Sequence, residues 1–435
     1  MRAKGLTHPL VLVVSLILKA LQNPKYVTFA CGSQWGNRFE GNMKYLFLYM
    51  SNTRWKDLNP MWITPSEDIC KSLRGRKYNA VLSKYKIDTL RVYSQTGVLI
   101  TDSGLDSVNY IPKLLKASVI DLWHGIPLKG VGRPPRDCSL KTLLFSPWMH
   151  KSCTEDYVLV TSKYVLNLFK KTGLVSYSSQ AIISGYPRVE FLLKGINTKE
   201  FRGWEVGISG KVIDYILNKK DYASNYIVYM PTYRDKYLFN KGSHRVCQNI
   251  IVHIEKELID GKIFNMECLA KFLEKTDAYL FIKTHYFTHR DTESLNKLRS
   301  ALKKITDKIV VLNPWEDIYP LLVLSDVLIT DYSSVMFDYI VLDRPIVLYP
   351  YDFEEYTSKR RLLLDYKSIV PGPICKSYTE LYSILEESIQ DPNIGKDKRK
   401  SIFKILYNDP KILENACERI CLKISELMKI EMPRV

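Results

Sequence analysis

Short apolar runs alternate along the chain with longer segments of helical periodicity. In the first half these runs are rich in β-branched and aromatic residues and cover 26–31, 61–64, 97–101, 118–123 and 181–184. The second half repeats the scheme at 226–230, 278–283, 309–312, 327–330 and 345–349. Continuous apolar strands separated by helices are typical of parallel sheets that are covered on both faces. The pattern therefore predicts an α/β protein made of two doubly wound domains.

The length of the chain supports this division. Its 435 residues exceed the roughly 250–300 residues at which a single core stops growing. A polar stretch that carries Gly and Lys, 203–223, predicts the boundary. We therefore expect an N-terminal domain over 1–215, a C-terminal domain over 216–400 and a C-terminal helical segment over 401–435.

The two ends of the chain carry further apolar patterns. Helical spacing over 409–430 predicts one amphipathic helix, with Cys417 and Cys421 on a face that packs in the core rather than binding a metal. The apolar run 10–18 follows basic residues and imitates a signal peptide, but Lys19 interrupts it and it is shorter than the roughly 18 residues of a spanning helix. We expect a helix that lies on a membrane surface or packs on the protein, and an ordinary core helix fits equally well.

The chain is strongly basic, with 63 Lys and Arg against 46 Asp and Glu and a formal net charge of +17. Such a charge attracts nucleic acid, an anionic membrane surface or a phosphate-rich substrate, and charge alone leaves these partners open. The 9 cysteines are scattered without a C-x-x-C pair, as in a reduced cytosolic protein. They indicate neither a disulfide scaffold nor a zinc site.

Polar residues directly after apolar runs are the first candidates for chemistry, because parallel α/β sheets bind ligands beyond the carboxyl ends of their strands. The strongest set is Thr330-Asp331-Tyr332-Ser333-Ser334. Ser333 and Ser334 stand where a helix N-cap belongs, and the free N–H groups of a helix start attract an anion. The motif predicts a phosphate cradle. Serines that merely cap the helix, with Asp331 bonding the turn, explain the spacing equally well.

A second set follows a strand of the first half and reads Trp123-His124-Gly125-Ile126-Pro127-Leu128-Lys129. Gly125 permits a sharp turn and Pro127 stiffens the exit, which leaves His124 at the strand end. Histidine can act as a general base because its ordinary pKa lies near neutrality. A lone histidine is more often structural, but the flanking glycines and Lys129 favour a functional role.

Cationic and hydroxyl side chains follow other predicted strands. Thr232 and Arg234 come after one strand of the second half, and His285 comes after the next. Together they would bind a diphosphate, whereas surface capping explains each alone. Arg188, in the turn Ser184-Gly185-Tyr186-Pro187-Arg188, adds a cation at the end of the first domain.

Three common signatures are absent from the sequence, which contains no G-x-G-x-x-G, no G-x-x-x-x-G-K-[ST] and no D-x-D. Nicotinamide oxidoreductases, P-loop enzymes and the commonest metal-dependent glycosyltransferases are therefore disfavoured. We expect no metal and no organic cofactor. Cationic side chains and helix termini would then neutralise a leaving diphosphate.

The ordered motifs W-H-G-x-P-L-K, S-G-Y-P-R, Y-x-P-T-Y-R-D, K-x-H, T-D-Y-S-S-x-x-F-D and P-G-P resemble the CDP-glycerol glycerophosphotransferase family of teichoic acid synthesis. The resemblance spans roughly 25–390. It implies a GT-B fold, with two Rossmann-like domains that face each other across a cleft. The acceptor would bind the first domain and a CDP-linked polyol donor the second.

Carried over motif by motif, the resemblance implies a role for each candidate. His124 would be the catalytic base, and His285 a second catalytic residue at the donor diphosphate. The donor would also contact Thr232, Arg234, Asp331, Ser333 and Ser334. Lys129 and Arg188 would bind the acceptor or a phosphate. The family acts peripherally at the cytoplasmic face of the membrane on lipid-linked or polymer acceptors, so we expect an anionic membrane surface, and no nucleic acid, as a partner.

The sequence departs from the family pattern at two places. Glu190 replaces the usual Asp after P-R-x, and 362–365 replaces the usual glycine-aromatic stretch, both near the expected donor cleft. These departures leave the polyol open. A GT-B glycosyltransferase that uses a nucleotide sugar is the nearest alternative function, and a non-catalytic polyanion-binding protein is a more distant one.

Overall fold

A computed structural model of the chain describes residues 24–30, 36–84, 86–103, 112, 116–129, 155–172, 179–232, 263–284, 292–359 and 362–430. They form two compact units. The first contains the described residues within Met1–His124, Gly132–Gly207 and Asp409–Val435, and the second those within Gly125–Val131 and Ile208–Asn408. The division separates His124 from Gly125, so the W-H-G-x-P-L-K motif contributes to both units.

The first unit is built on a seven-stranded parallel sheet with the strand order β3-β2-β1-β4-β5-β6-β7. Its strands are β1 (Tyr26–Ala30), β2 (Pro60–Thr64), β3 (Ala80–Leu82), β4 (Thr96–Thr101), β5 (Ser118–Asp121), β6 (Tyr157–Val160) and β7 (Gln180–Ile183). All of the strands predicted in this half are present, and β3 and β6 are additional. The strand order reverses between β1 and β4, where doubly wound sheets bind ligands.

The helices of the first unit begin with α1 (Gly41–Asn52), α2 (Glu67–Gly75), α3 (Lys86–Ser94), α4 (Lys163–Lys171) and α5 (Pro187–Lys194), with 3₁₀ turns at Arg54–Leu58 and Lys199–Phe201. Helix α1 is buried on all sides from Asn42 to Met50, as expected of a helix inside a core rather than on its surface. Its Phe47 packs edge-on against Phe29 of β1 at 5.4 Å. The start of this central helix contacts the backbone that follows β5.

The second unit contains a five-stranded parallel sheet with the order β10-β9-β8-β11-β12. Its strands are β8 (Asn225–Met230), β9 (Ala278–Ile282), β10 (Ile309–Val311), β11 (Val327–Thr330) and β12 (Ile346–Leu348), which confirms the strands predicted for this half to within two residues. The order reverses between β8 and β11. The predicted motifs that contain Thr232 and Asp331 therefore follow the two strands that flank this reversal.

The helices of the second unit pack around its sheet, with an extended apolar cluster between them and the strands. They are α6 (Gly210–Leu217), α7 (Lys219–Tyr222), α8 (Met266–Lys275), α9 (Thr292–Lys303), α10 (Tyr319–Leu324), α11 (Val335–Tyr339), α12 (Phe353–Lys359), α13 (Tyr366–Ile369), α14 (Tyr378–Gln390) and α15 (Lys396–Tyr407), with a 3₁₀ turn at Ile340–Leu342.

The C-terminal segment returns to the first unit as two helices, α16 (Lys411–Glu414) and α17 (Ala416–Met428), so the prediction of one helix over 409–430 is wrong. The chain breaks at Asn415 because the buried carboxylate of Glu190 accepts the Cys417 N–H at 2.7 Å and starts a new helix. Cys417 and Cys421 are 0% exposed, which confirms core packing.

Glu190, one of the two departures from the family pattern, therefore lies inside the first unit, bound to α17 and to Lys194. Further along α17, the carboxylate of Glu418 accepts hydrogen bonds from Tyr49, Arg54 and Trp55 at 2.9, 2.5 and 2.6 Å. These contacts fix the last helix against α1 and the turn that follows it.

No helix among the described residues is long and apolar enough to span a bilayer. The apolar run 10–18, for which a membrane-surface or core helix is predicted, lies outside the described residues.

Candidate active site

His124 lies three residues beyond the end of β5, on a turn with a constrained backbone. The preceding residue, Trp123, adopts a left-handed conformation with φ of 52°, which is uncommon for a bulky side chain. The carboxylate of Asp121 accepts the Trp123 N–H at 2.8 Å, and the indole stacks on the His124 ring with centroids 4.3 Å apart. The orientation of the His124 ring is thus tied to the backbone of Trp123.

The imidazole of His124 is held in one tautomer. Its Nδ1 lies 3.1 Å from the carbonyl oxygen of Asp102, the residue that follows β4. Because a carbonyl only accepts, Nδ1 carries the proton in the neutral ring and Nε2 keeps its lone pair. The strands β4 and β5 are neighbours, so the parallel sheet itself brings the two groups together.

The surroundings of His124 favour the neutral ring. Although the residue is exposed, the protein around the imidazole removes part of its hydration, which lowers the pKa of His124 below its usual 6.5. The nearby Arg188 guanidinium lowers the pKa further, whereas Asp102 opposes the shift. The net effect is an imidazole whose Nε2 is unprotonated at neutral pH and available as a base.

Asn42, which no motif indicated, joins the two candidate sets of the first unit. It is 2% exposed at the start of α1, and its amide donates to the carbonyl oxygens of Leu122 and Trp123 at 3.1 and 2.9 Å. Its side-chain oxygen accepts a hydrogen bond from the backbone N–H of Arg188 at 3.4 Å. Arg188 is itself 5% exposed and lies over the Tyr186 ring at 5.4 Å. The His124 turn and the Arg188 turn therefore share one buried amide.

In the second unit, Asp331 ties the ends of β8 and β11 together. Its carboxylate is 0% exposed and accepts the Thr232 N–H at 2.8 and 3.1 Å and the Tyr332 N–H at 2.5 Å. The Tyr366 hydroxyl donates to the Asp331 carbonyl oxygen at 2.8 Å. The geometry makes Asp331 an anchor of the serine turn at the reversal of strand order.

Ser333 and Ser334, which follow Asp331 and Tyr332, are half-buried, and their hydroxyl groups only partly cap the next helix. Ser333 Oγ accepts the Val335 N–H at 3.4 Å, while Ser334 occupies the N-cap position without a side-chain cap. The helix that they begin, α11, has only 5 residues. An anion here would bind hydroxyl and local backbone N–H groups, because so short a helix has only a small dipole.

Lys129 lies with the donor candidates of the second unit, although the sequence groups it with His124. Its Nζ lies 3.5 Å from the Thr232 hydroxyl. The backbone around it pairs with the segment that departs from the family pattern, through a bridge to Leu362 and a hydrogen bond from the Leu363 N–H to the Leu128 carbonyl oxygen at 2.9 Å. The departure at 362–365 thus supports the segment that carries Lys129.

Two predicted site residues, Arg234 and His285, lie outside the described residues. Lys283, two residues before His285, is buried at the end of β9 and donates to the Pro314 carbonyl oxygen at 2.6 Å. Within the described ranges, no three His, Cys, Asp or Glu side chains are placed to hold a metal.

Comparison with known proteins gives a consistent result. The family model for CDP-Glycerol:Poly(glycerophosphate) glycerophosphotransferase matches residues 12–422. A teichoic acid glycerol-phosphate transferase of Staphylococcus aureus is 28% identical over 323 residues, 73% of each chain. A teichoic acid poly(glycerol phosphate) polymerase of Bacillus spizizenii is 25% identical over 398 residues, 88% of this chain and 91% of the relative.

The fold is also found among solved structures. The solved structure of the wall teichoic acid polymerase TagF superposes on this chain with a TM-score of 0.66 at 20% sequence identity. The match covers 96% of this chain and 93% of the TagF chain in that structure. Both units carry the doubly wound parallel sheets that this fold requires. The chain has a GT-B type of α/β fold, and it belongs to the CDP-glycerol:poly(glycerophosphate) glycerophosphotransferase family of transferases.

Proposed function

We propose that the chain transfers glycerol phosphate, or a related polyol phosphate, from a CDP-activated donor to a hydroxyl group of a cell-surface polymer or lipid-linked acceptor. The observation that carries this proposal is the state of His124. Its Nδ1 is engaged by the Asp102 carbonyl, and its pKa is lowered by lost hydration. The unprotonated Nε2 is therefore suited to accept a proton from an acceptor hydroxyl near neutral pH.

The proposed step is a displacement at phosphorus. His124 Nε2 takes the proton of the acceptor hydroxyl, and the acceptor oxygen forms a bond to the β-phosphorus of the CDP-polyol. The bond from that phosphorus to the bridging oxygen breaks, and CMP leaves with the bridging oxygen. Arg188, buried near His124, would hold an anionic group of the acceptor.

The second unit would bind the donor. Negative charge develops on the transferred phosphoryl group and on CMP, so preorganised donors there would stabilise the transition state. Among the described residues, Ser333, Ser334, Thr232 and Lys129 supply hydroxyl, backbone N–H and ammonium groups around the anchor Asp331. The proposal adds Arg234 and His285 to this group from their motifs, and it requires no metal or organic cofactor.

Charge and family support a proposal for the acceptor and the place of action. The names of the relatives refer to teichoic acid and to glycerol phosphate. A net charge of +17 favours an anionic membrane or polymer as a partner. We propose peripheral action at the cytoplasmic face of the membrane. Cosedimentation with phosphatidylglycerol vesicles, and none with phosphatidylcholine vesicles, is the expected result; equal binding to both would contradict it.

The reaction is tested by incubating the purified chain with CDP-glycerol, CDP-ribitol or a UDP-sugar and an acceptor. We expect release of CMP from a CDP-polyol and a loss of about 10²–10⁴-fold in His124→Ala, the typical contribution of a general base. Near-full activity of His124→Ala would remove the base from the proposal. Transfer from the UDP-sugar alone would favour the glycosyltransferase alternative.

A further inference from the structure

We propose that Asn42 is a positioning residue for the His124 base. The inference rests on the proposed role of His124 and adds a residue from a distant part of the sequence. One amide group makes three contacts at the start of α1: it donates to the carbonyl oxygens of Leu122 and Trp123 and accepts the Arg188 N–H. At 2% exposure, the Asn42 amide is shielded from bulk water, so these bonds are made inside the first unit.

The need for such a residue comes from the strained turn. Trp123 is left-handed, and the His124 ring stacks on its indole, so rotation of the Trp123 backbone would move the imidazole. The Asp121 carboxylate accepts the Trp123 N–H. The Asn42 amide donates to the carbonyl oxygens of Trp123 and Leu122. Asn42 therefore bonds the peptide units on both sides of Trp123, whereas Asp121 bonds only the one that precedes it.

The chemistry requires an amide at this position. Asparagine donates two hydrogen bonds and accepts one without charge, which matches two carbonyl oxygens and one N–H. Aspartate of the same size keeps the acceptor for Arg188 but loses both donors. Leucine has a similar volume and loses all three contacts without adding charge. These two substitutions separate the loss of the hydrogen bonds from the introduction of a charge.

The same helix offers a matched control in Asn52, at its other end. The Asn52 amide also donates to backbone carbonyl oxygens, those of Leu48, Glu200 and Arg202 at 2.9, 3.2 and 2.9 Å. Its side-chain oxygen accepts the Tyr78 hydroxyl at 2.9 Å. Changes at Asn52 therefore remove a similar set of bonds from α1, and none of these bonds involves the His124 turn.

The experiment compares Asn42→Asp and Asn42→Leu with Asn52→Asp and Asn52→Leu, all assayed well below their melting temperatures. We expect both Asn42 variants to lower kcat for CMP release about 10- to 100-fold, the effect of a displacement near 1 Å, with KM for CDP-glycerol changed less than about threefold. Both Asn52 variants should keep wild-type kcat. Wild-type kcat in the Asn42 variants, or an equal loss in the Asn52 variants, would overturn the proposal.

A second readout does not depend on activity. In protein labelled with ¹⁵N in its 7 histidines, the His124 ring signals are identified by their loss in His124→Gln. We expect these signals to shift in both Asn42 variants and to stay in place in both Asn52 variants. Unchanged His124 signals in the Asn42 variants would contradict positioning even if no CDP-polyol proved to be a substrate, so the two proposals fail separately.

Discussion

Asp331→Asn tests how the serine turn is held at the end of β11. The buried carboxylate of Asp331 accepts the Thr232 N–H with both oxygens and the Tyr332 N–H with one. Asparagine has the same shape but only one acceptor oxygen. Its NH₂ group would face a backbone N–H, so at least one hydrogen bond is replaced by two donors that face each other.

The size of the effect follows from the burial of this group. A hydrogen bond to a charged group contributes about 1.5–3 kcal/mol, and an unsatisfied buried donor adds to the loss. We expect the free energy of unfolding to fall by about 2 kcal/mol, or about 4–8 °C in melting temperature for a domain of this size. Because the lost contact is one of the two that join the Thr232 N–H to the serine turn, the affinity for CDP-glycerol should fall about tenfold, equivalent to about 1.4 kcal/mol.

The matched control is Asp326→Asn at the opposite end of the same strand. The Asp326 carboxylate accepts the Tyr226 N–H at 2.7 Å and the Lys219 ammonium at 2.6 Å. This variant should lose stability but bind CDP-glycerol like the wild type in isothermal titration calorimetry. Unchanged affinity in Asp331→Asn, or an equal loss in both variants, would refute the reasoning that Asp331 organises the donor site.

Three further predictions concern pH and packing. Since lost hydration lowers the pKa of His124, kcat/KM should rise with pH to a plateau, and the apparent pKa of this rise should lie below 6.5. An apparent pKa above 6.5 would contradict this. Burial acts to raise the pKa of Glu418, but its hydrogen bonds outweigh burial and lower it, so its stabilisation is present above pH 4.5 and is lost as the pH falls through the lowered pKa. Thermal melts should show a smaller loss of stability below pH 4.5 in Glu418→Gln than in the wild type, and an identical profile would contradict it. In the P-G-P motif, a Cβ at Gly372 would lie 1.7 Å from the Ile346 carbonyl oxygen, so Gly372→Ala should greatly reduce the yield of folded protein, whereas Gly210→Ala, which meets nothing within 4 Å, should melt like the wild type.

The sheets could be predicted because strands buried on both faces are continuous apolar runs. Two strands were not predicted, β3 with 3 residues at the edge of its sheet and β6 with 4, although β10 and β11, which are equally short, were. The break between α16 and α17 at Asn415 was not predicted, because the hydrogen bond that starts α17 comes from Glu190, 227 residues before Cys417.

The candidate site was predictable to the extent that its chemistry directly follows a strand. His124 and Asp331 meet that condition, since they follow β5 and β11. Asn42 does not, because its partners Trp123 and Arg188 are 81 and 146 residues away and meet it only in the folded unit. Lys129 was grouped by its motif with His124, yet it belongs to the second unit, where its Nζ lies 3.5 Å from the Thr232 hydroxyl.

The nucleotide product of the reaction tests the central claim most directly. Attack of the acceptor hydroxyl on the β-phosphorus of CDP-glycerol leaves CMP and forms a phosphodiester in the product, whereas attack on a carbon of the polyol leaves CDP. Chromatography of the nucleotides and ³¹P NMR of the product distinguish these outcomes in one incubation. We predict CMP and one new phosphodiester per CMP released; CDP, or CMP without a new phosphodiester, would contradict glycerophosphate transfer.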